Sequence, residues 1–379
     1  MKKIGICTVY TGYNYGSALQ AFAVKELVKR SGYIPVVFKL KGSIVKGRDF
    51  RIKKFVSIAF RSVFHFKEAK KIKNSYISLY NKNLTQESRS RFEDFYKNQI
   101  EPYFISYSRL KKISKSDDYL RFFCGSDQIW NSTSLYVDPF YYLRFAPRYK
   151  RIAYAPSFGK SYIPQYNEKI IKKYISDINM LSVREETGKQ IIFDLLGKEC
   201  DVLLDPTLQL TGDDWRTAFN LENVVGSKYV VAYFLDQPSD LAKQAIKTYA
   251  IEHDCKVIIL PYNDEILDGA TCYSAGPVEF LDLINFADCV FTDSFHGTAF
   301  SVNFNKNFYT FSRNYGSAHN QGDRIVSFLS KVGLENRLDA EKTQCNIDYN
   351  QVNEIMKIER EKSAQYLRNA IELDGGDNG

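Results

Sequence analysis

Short apolar runs alternate with amphipathic stretches along most of the chain. In the first half, apolar runs at 2–10, 33–38, 121–125 and 152–157 predict strands, and the second half repeats the pattern at 180–185, 201–206, 228–235, 255–262, 288–293 and 307–311. Helical periodicity predicts helices at 17–30, 87–97, 237–252, 278–286, 323–331 and 352–371. Short buried strands that alternate with helices are typical of parallel sheets covered on both faces.

The alternation falls into two α/β halves. We predict an N-terminal domain over 1–175, a C-terminal domain over 176–345, and a charged helix with a frayed tail over 346–379. At 379 residues the chain is too long for one ordinary core and suits two domains. Doubly wound halves bind ligands at the carboxyl ends of their strands, so the site is expected in the cleft between them.

One amphipathic stretch differs from the others in its charge. Between Lys39 and Lys73 there are twelve Lys or Arg and two acidic residues, a local +10 within a net charge of +8, so the other residues sum to −2. Apolar residues recur at three- to four-residue steps from Ile52 to Phe64, with most basic residues on the other side. We interpret 41–75 as a basic amphipathic segment. It is either a packed helix with a solvated basic face or a helix on an anionic membrane surface.

Composition excludes several classes of protein. Hydrophobic residues at 44% and charged residues at 25% are typical of a globular protein, and no apolar run reaches the roughly 18–20 residues of a membrane span. The apolar run after the two N-terminal lysines is too short for a signal peptide, so we expect a cytoplasmic location. Seven scattered cysteines without CxxC indicate no zinc site or disulfide framework, and no metal is expected. Nucleic acid is disfavoured because the positive charge is confined to one segment.

Two polar clusters follow strands of the first half. After strand 2–10, Asn14 lies in a glycine-containing turn, and Ser17 is expected to cap the next helix, whose free N–H groups suit an anion or sugar hydroxyls. After strand 121–125, Asp127 stands beside Gln128 and Trp130, and a carboxylate with an aromatic ring is a common way to hold a sugar. The alternative is a helix cap at Ser126 or Asp127 with Trp130 in the core.

Two further clusters follow strands of the second half. Arg184 in SVRE comes between a strand and a helix, where its planar fork suits a carboxylate or phosphate; the alternative is a surface ion pair with Glu185 or Glu186. In FTDSFHGTAF, His296 stands at a helix N-terminus and combines with the helix dipole as an anion site. A lone histidine is otherwise usually structural. The neighbouring candidates are Asp293, Ser294 and Gly297, of which the glycine permits close backbone approach.

The order of these motifs resembles one known family. NYGSALQAF, GSDQIWN, IAYAPSFG, SVREETG, LLDPTL and ADCVFTDSFHGTAFS follow one another as in the polysaccharide pyruvyl transferases, and DRIVSFL and LENRL are similar to that family's closing segments. The resemblance extends over roughly residues 3–338, and the basic segment 41–75 matches nothing in the family pattern. It implies an α/β fold of two Rossmann-like, doubly wound domains in a GT-B-like arrangement with a cleft between them.

The resemblance also implies a reaction. Members of the family move the enolpyruvyl unit of phosphoenolpyruvate to a sugar and close a cyclic ketal, and Arg184 and His296 match residues associated with the donor site. Phosphoenolpyruvate would be a co-substrate, so no cofactor is expected, and the acceptor would be a saccharide of a lipid-linked surface-polysaccharide precursor at the inner face of the cell membrane. Asp127 and Asp293 are candidate bases, and Arg324 is a candidate further anion contact.

Two other functions are also consistent with the sequence. The same fold suits a glycosyltransferase that uses a nucleotide sugar, although the sequence reveals no base or ribose pocket. A non-catalytic saccharide-binding protein is the third interpretation, and the presence of both Arg184 and His296 argues against it.

Overall fold

The computed structural model describes most of the chain. The described residues are 1–41, 50–67, 69–70, 84–260, 267, 269–313, 323–340 and 347–373, with only the backbone described at 50–53 and 323. Residues 42–49, 68 and 71–75 of the basic segment, and the tail at 374–379, lie outside them.

The first sheet is parallel, with strand order β3-β2-β1-β4-β5. Its strands are β1 (Lys3–Cys7), β2 (Ile34–Leu40), β3 (Tyr103–Ile105), β4 (Tyr119–Cys124) and β5 (Arg151–Ala153). The helices of this half are α1 (Tyr15–Arg30), α2 (Phe50–Phe64), α3 (Gln86–Phe95), α4 (Tyr107–Ile113), α5 (Gln165–Ile175) and α6 (Glu186–Leu196). A π-helical turn at Tyr96–Ile100 extends α3, and a 3₁₀ turn spans Arg148–Lys150.

A short parallel pair, β6 (Ser182–Val183) and β7 (Asp201–Val202), continues this layer beyond β5. The Ala153 amide donates to the Met180 carbonyl at 2.9 Å, and Val183, Val202 and several α6 side chains belong to the same buried cluster as β4. This packing favours a domain boundary after β7 rather than at the predicted 175.

The second sheet is also parallel, with strand order β10-β9-β8-β11-β12. Its strands are β8 (Tyr229–Tyr233), β9 (Lys256–Ile259), β10 (Thr271–Cys272), β11 (Cys289–Thr292) and β12 (Asn307–Thr310). The helices are α7 (Pro206–Gln209), α8 (Gly212–Phe219), α9 (Asp240–Glu252), α10 (Pro277–Phe286), α11 (Phe295–Asn303), α12 (Asp323–Lys331) and α13 (Tyr349–Glu372), with a 3₁₀ turn at Glu335–Arg337.

The two sheets are joined into one structure by packing between their helices. The Tyr15 ring on α1 stacks on Phe280 of α10 with centroids 4.6 Å apart. The long α13 returns to the first sheet, where the Tyr366 hydroxyl donates to the Ala153 carbonyl at 2.8 Å. The predicted fold class, α/β with two Rossmann-like doubly wound halves, is therefore confirmed. In each sheet the strand order reverses at the central strand, β1 or β8, and this opens a crevice at the carboxyl ends of the strands.

Candidate active site in the cleft

A buried ion pair forms the centre of the site. Arg184 follows β6, and its Nη1 donates to Oδ2 of Asp205, which follows β7; both side chains are at most 2% exposed. Asp205 also accepts from the Thr207 amide at 3.0 Å and from Ser126 Oγ at 3.2 Å. Burial opposes ionisation of Asp205, but the Arg184 charge, His296 and the Thr207 amide together hold its pKa well below the usual range. The Asp205 carboxylate is therefore an anion that fixes the position of Arg184.

One edge of the Arg184 guanidinium makes no hydrogen bond within the protein. Nη1 is bonded to Asp205, whereas Nε and Nη2 are buried with no hydrogen-bond partner. Nε–H and Nη2–H lie on the same edge of a guanidinium and form the fork that matches a carboxylate or phosphate. The Glu185 carboxylate, 3.9 Å from Nε, is too distant for a hydrogen bond. The free edge of Arg184 therefore has two buried donors in the fork geometry that suits an anion.

His296 lies in the first turn of α11, opposite that pair. Ser294 caps the helix, since its hydroxyl accepts from the Gly297 amide at 3.4 Å. The His296 Nε2 is 3.8 Å from Asp205 Oδ2 and is buried without a hydrogen-bond partner. Its other face packs on α1 of the first half, where a Cβ built on Gly16 would lie only 1.9 Å from Nδ1. His296 therefore lies at the contact between the two halves.

Arg324 on α12 completes the cationic group. Its guanidinium lies 5.9 Å from the Phe295 ring centroid, and that of Arg184 lies 4.8 Å from the same centroid. With the Gln128 amide in the orientation that satisfies both partners, its oxygen accepts from Arg324 Nη2 at 2.6 Å. Burial, and then the Arg184 charge, lower the pKa of Arg324 to about 10, and its Nε has no partner. An anion bound between the two guanidiniums would relieve their repulsion.

A carboxylate and a hydroxyl lie on the first-half side of the site. Asp127 is in a turn with a left-handed backbone (φ 68°), and its Oδ2 accepts from Ser17 Oγ at 2.5 Å. The prediction that Ser17 caps α1 is wrong: the cap is Asn14, whose Oδ1 accepts from the Ser17 amide at 3.0 Å. The cap leaves the Ser17 hydroxyl free to reach Asp127. The alternative of a helix cap at Asp127 is also wrong, because this turn starts no helix.

Three residues that were predicted to belong to the site make contacts within the protein instead. Trp130 is fully buried, its ring stacks on Tyr142 with centroids 5.3 Å apart, and its Nε1 donates to a backbone carbonyl. The interpretation of Trp130 as a core residue is therefore confirmed, and the prediction that its ring stacks on a sugar is wrong. Asp293 accepts from the Leu235 and Asp236 amides at 2.7 and 2.9 Å. The close approach that Gly297 permits is to β11, since a Cβ there would lie 2.4 Å from Thr292 Oγ1.

Sequence reasoning missed Asp205 and Gly16 as members of the site. Asp205 ends the apolar run DVLLDP, so the rule that selected Arg184, a charged residue directly after a strand, applied equally to it. Gly16 is expected in the glycine-containing turn after the first strand but lies in α1, and its importance comes from a contact with the other half that the sequence does not show. In the described ranges, no group of three or more His, Cys, Asp or Glu side chains is arranged to hold a metal ion, and no helix is long and apolar enough to cross a membrane.

Comparisons with solved structures give distant similarities. A putative UDP-N-acetylglucosamine 2-epimerase from Listeria monocytogenes is 8% identical, with a TM-score of 0.47, and the match covers 96% of this chain and 90% of that one. The glycosyltransferase SnogD from Streptomyces nogalater is 10% identical, with a TM-score of 0.41 and 98% of each chain covered. The wall teichoic acid polymerase TagF is 12% identical, with a TM-score of 0.44 and coverage of 99% and 88%.

Family assignment comes from the sequence itself. No curated protein matches the chain significantly. The family model described as polysaccharide pyruvyl transferase matches residues 14–315, which extends from the Asn14 cap through the whole His296 region and covers most of the chain. This match confirms the resemblance stated from the motifs, and the chain belongs to the polysaccharide pyruvyl transferase family.

Proposed function

We propose that this protein transfers the enolpyruvyl unit of phosphoenolpyruvate to a sugar and closes a cyclic pyruvate ketal. The observation that carries the proposal is a set of buried hydrogen-bond donors without partners: the Nε and Nη2 of Arg184, the Nε2 of His296 and the Nε of Arg324. Burying unpaired donors is costly, so such a set is typical of a site prepared for a ligand. The donors surround the Phe295 ring, which both guanidiniums contact.

The charges of phosphoenolpyruvate match this set. The donor carries a carboxylate and a phosphate, and the cluster supplies two guanidiniums and a histidine; Asp205 pairs with Arg184, and the buried Glu185 carboxylate lies 3.9 Å from the same guanidinium. We assign the free edge of Arg184 to one anionic group and His296 with Arg324 to the other. Phosphoenolpyruvate then acts as a co-substrate, and the proposal needs no separate cofactor.

The reaction balances with one proton donor and one base. A proton adds to the methylene carbon C3, which becomes the methyl group, and C2 becomes electrophilic. One sugar hydroxyl bonds to C2, the C2–O bond to phosphate breaks, and a second hydroxyl closes the ketal. Two hydroxyl protons are released and one is taken up at C3, so the other leaves with phosphate. We propose His296 as phosphate binder or general acid.

Asp127 is the preferred base. Its carboxylate is half-buried on the first-half side of the cleft, beside the cationic cluster, with Oδ2 bonded to the Ser17 hydroxyl and Oδ1 accepting from the Gln128 amide at 2.8 Å. Asp293 suits the role less well, because it is only 2% exposed and Arg313 lies 3.3 Å away. We propose that the acceptor lies along Ser17 and Asp127, as the saccharide of a lipid-linked surface-polysaccharide precursor at the inner membrane face.

Phosphate release tests the proposal. The purified protein is incubated with phosphoenolpyruvate and a panel of saccharide acceptors, and inorganic phosphate is measured with and without each acceptor. Acceptor-dependent release, with a product heavier by pyruvate less water, supports the proposal. A parallel series with nucleotide sugars tests the glycosyltransferase alternative, and nucleotide release there without any reaction of phosphoenolpyruvate contradicts our assignment.

A further inference from the structure

Helix α2 turns its apolar side away from the protein. Five side chains on one side of the helix are each at least 59% exposed, and we call them the α2 apolar face: Phe55, Val56, Phe60, Val63 and Phe64. Phe60 and Phe64 lie against each other with ring centroids 4.5 Å apart. Contiguous exposed aromatic residues of this kind are typical of a surface that meets an apolar partner.

The opposite, cationic side of the same helix docks on the first half. The Arg61 guanidinium donates to Asn167 Oδ1 and lies 5.6 Å from the Tyr166 ring centroid. The His65 ring, just after the helix, lies 4.8 Å from the same tyrosine, and Lys54 Nζ is 5.5 Å from the Tyr136 ring centroid. Of the described basic side chains on this side, Lys54 is exposed, whereas Arg61 and His65 are half-buried against the first half. The helix is held by its polar side.

We infer that the α2 apolar face inserts into the interfacial layer of an anionic bilayer. A helix with aromatic residues on one side and lysines and arginines around it lies in the plane of the interface, with its apolar side in the headgroup and acyl boundary. The stretch Lys39–Lys73 carries a local charge of +10, which attracts anionic lipid over about 10 Å at physiological salt. Arg61 and Lys54, on the docked side, lie within one helix diameter of that surface.

Charge also argues against a second copy of the chain as the partner that covers the α2 apolar face. A twofold contact through the α2 apolar face would bring two identical basic stretches together, and their like charges would repel. An anionic bilayer has the complementary charge, so it is the occupant to which we commit. The inference concerns the membrane side of the proposed function. Vesicle binding is measured without any substrate. A failure to bind vesicles would therefore contradict this inference without contradicting the proposed transfer reaction.

Vesicle sedimentation is the test. The full chain is mixed with vesicles of phosphatidylglycerol and phosphatidylcholine, or of phosphatidylcholine alone, and the pelleted fraction is measured from low salt to 1 M. We expect binding to the anionic vesicles only, and loss of it as the screening length falls from about 10 Å to about 3 Å. The Phe55→Ser, Phe60→Ser, Val63→Ser variant should weaken binding by at least about tenfold, because the inserted apolar area is removed.

Matched variants separate insertion from general effects. Ile251→Ser with Ile358→Ser removes exposed apolar side chains elsewhere on the surface, on α9 and α13, and should bind as the wild type does. Lys67→Gln with Lys70→Gln removes two exposed charges beside α2 and should weaken binding by roughly fivefold for each lysine. Thermal unfolding of each variant checks that the fold is kept.

Three results would overturn the inference. The first is failure of the wild type to pellet with anionic vesicles at low salt, and the second is equal binding to both kinds of vesicle. The third is self-association in the absence of lipid that the serine variant abolishes, since this would make a second copy the occupant. Sedimentation equilibrium at the protein concentration of the vesicle assay measures it.

Discussion

Gly16 is the position at which the smallest chemical change should disable the site. It lies in the first turn of α1 with a helical backbone, where alanine normally favours the helix by about 1 kcal/mol. A Cβ at this position would lie 1.9 Å from the His296 Nδ1 and 2.3 Å from its Cγ. The Gly16→Ala substitution therefore has no intrinsic helix penalty, and its whole effect falls on the histidine ring.

The size of the effect follows from these distances. Non-bonded atoms need about 3.5 Å, so the His296 ring must move by roughly 1.5 Å, and the ring is buried between the two halves. A misplacement of about 1 Å in a catalytic group costs about 10²-fold in rate. We expect kcat/KM for phosphoenolpyruvate to fall by at least about 10²-fold in Gly16→Ala.

The assay is acceptor-dependent phosphate release, with Tm measured in parallel. The matched control is Gly188→Ala, a second helical glycine, whose Cβ would meet nothing closer than Val183 at 3.2 Å. It should keep nearly all activity. The double variant Gly16→Ala, His296→Ala removes the clash, so any loss of Tm in Gly16→Ala should be recovered while turnover stays lost. Near-native kcat/KM in Gly16→Ala would refute a catalytic position for His296.

Three more predictions concern the charged residues of the site. Arg184→Lys keeps a charge beside Asp205 but loses the free fork, so kcat/KM should fall by about 10²–10³-fold. Arg184→Ala also leaves the buried Asp205 carboxylate unpaired, so it should lower the free energy of unfolding by about 3–5 kcal/mol. Steady-state kinetics and urea unfolding measure the two effects, and native kinetics in Arg184→Lys would exclude the fork. Asp127→Asn should lower kcat with the acceptor while calorimetry gives an unchanged Kd for phosphoenolpyruvate; weaker donor binding would exclude its acceptor-side role. Because the folded pKa of Asp205 is below its unfolded value, its contribution to the free energy of unfolding is present above about pH 4 and is lost as the pH falls, by up to about 1.4 kcal/mol per pH unit. Urea unfolding of wild type and Asp205→Asn at several pH values below 4 tests this, and equal pH dependence would contradict it.

The strand-end rule accounts for what sequence could predict of the site. Arg184 and Asp127 each follow an apolar run, and parallel strands bring such residues to one edge of a sheet. His296 follows an apolar run of the other half, and the structure places it 3.8 Å from the carboxylate that holds Arg184. The fold class was predictable for the same reason, since buried parallel strands leave an unmistakable alternation of short apolar runs with helices.

The features that the sequence does not predict depend on contacts between distant parts of the chain. Trp130 and Asp127 are three residues apart and share one motif, yet the first stacks on Tyr142 in the core and the second faces the cleft. The direction of α2 was also hidden, because helical periodicity gives two faces without saying which one docks. Tyr166 and Asn167, which decide it, lie about a hundred residues further along the chain.

Transfer of the enolpyruvyl unit is measured by following the carbon skeleton of the donor. Phosphoenolpyruvate labelled with ¹³C at C2 and C3 is incubated with the protein and an acceptor in D₂O, and the product is examined by NMR. We expect a ketal carbon bonded to two sugar oxygens and a methyl group that carries one deuterium from solvent, with one phosphate released per ketal. A product that keeps the enol double bond, or a sugar transferred from a nucleotide with phosphoenolpyruvate unchanged, would contradict the proposed transfer.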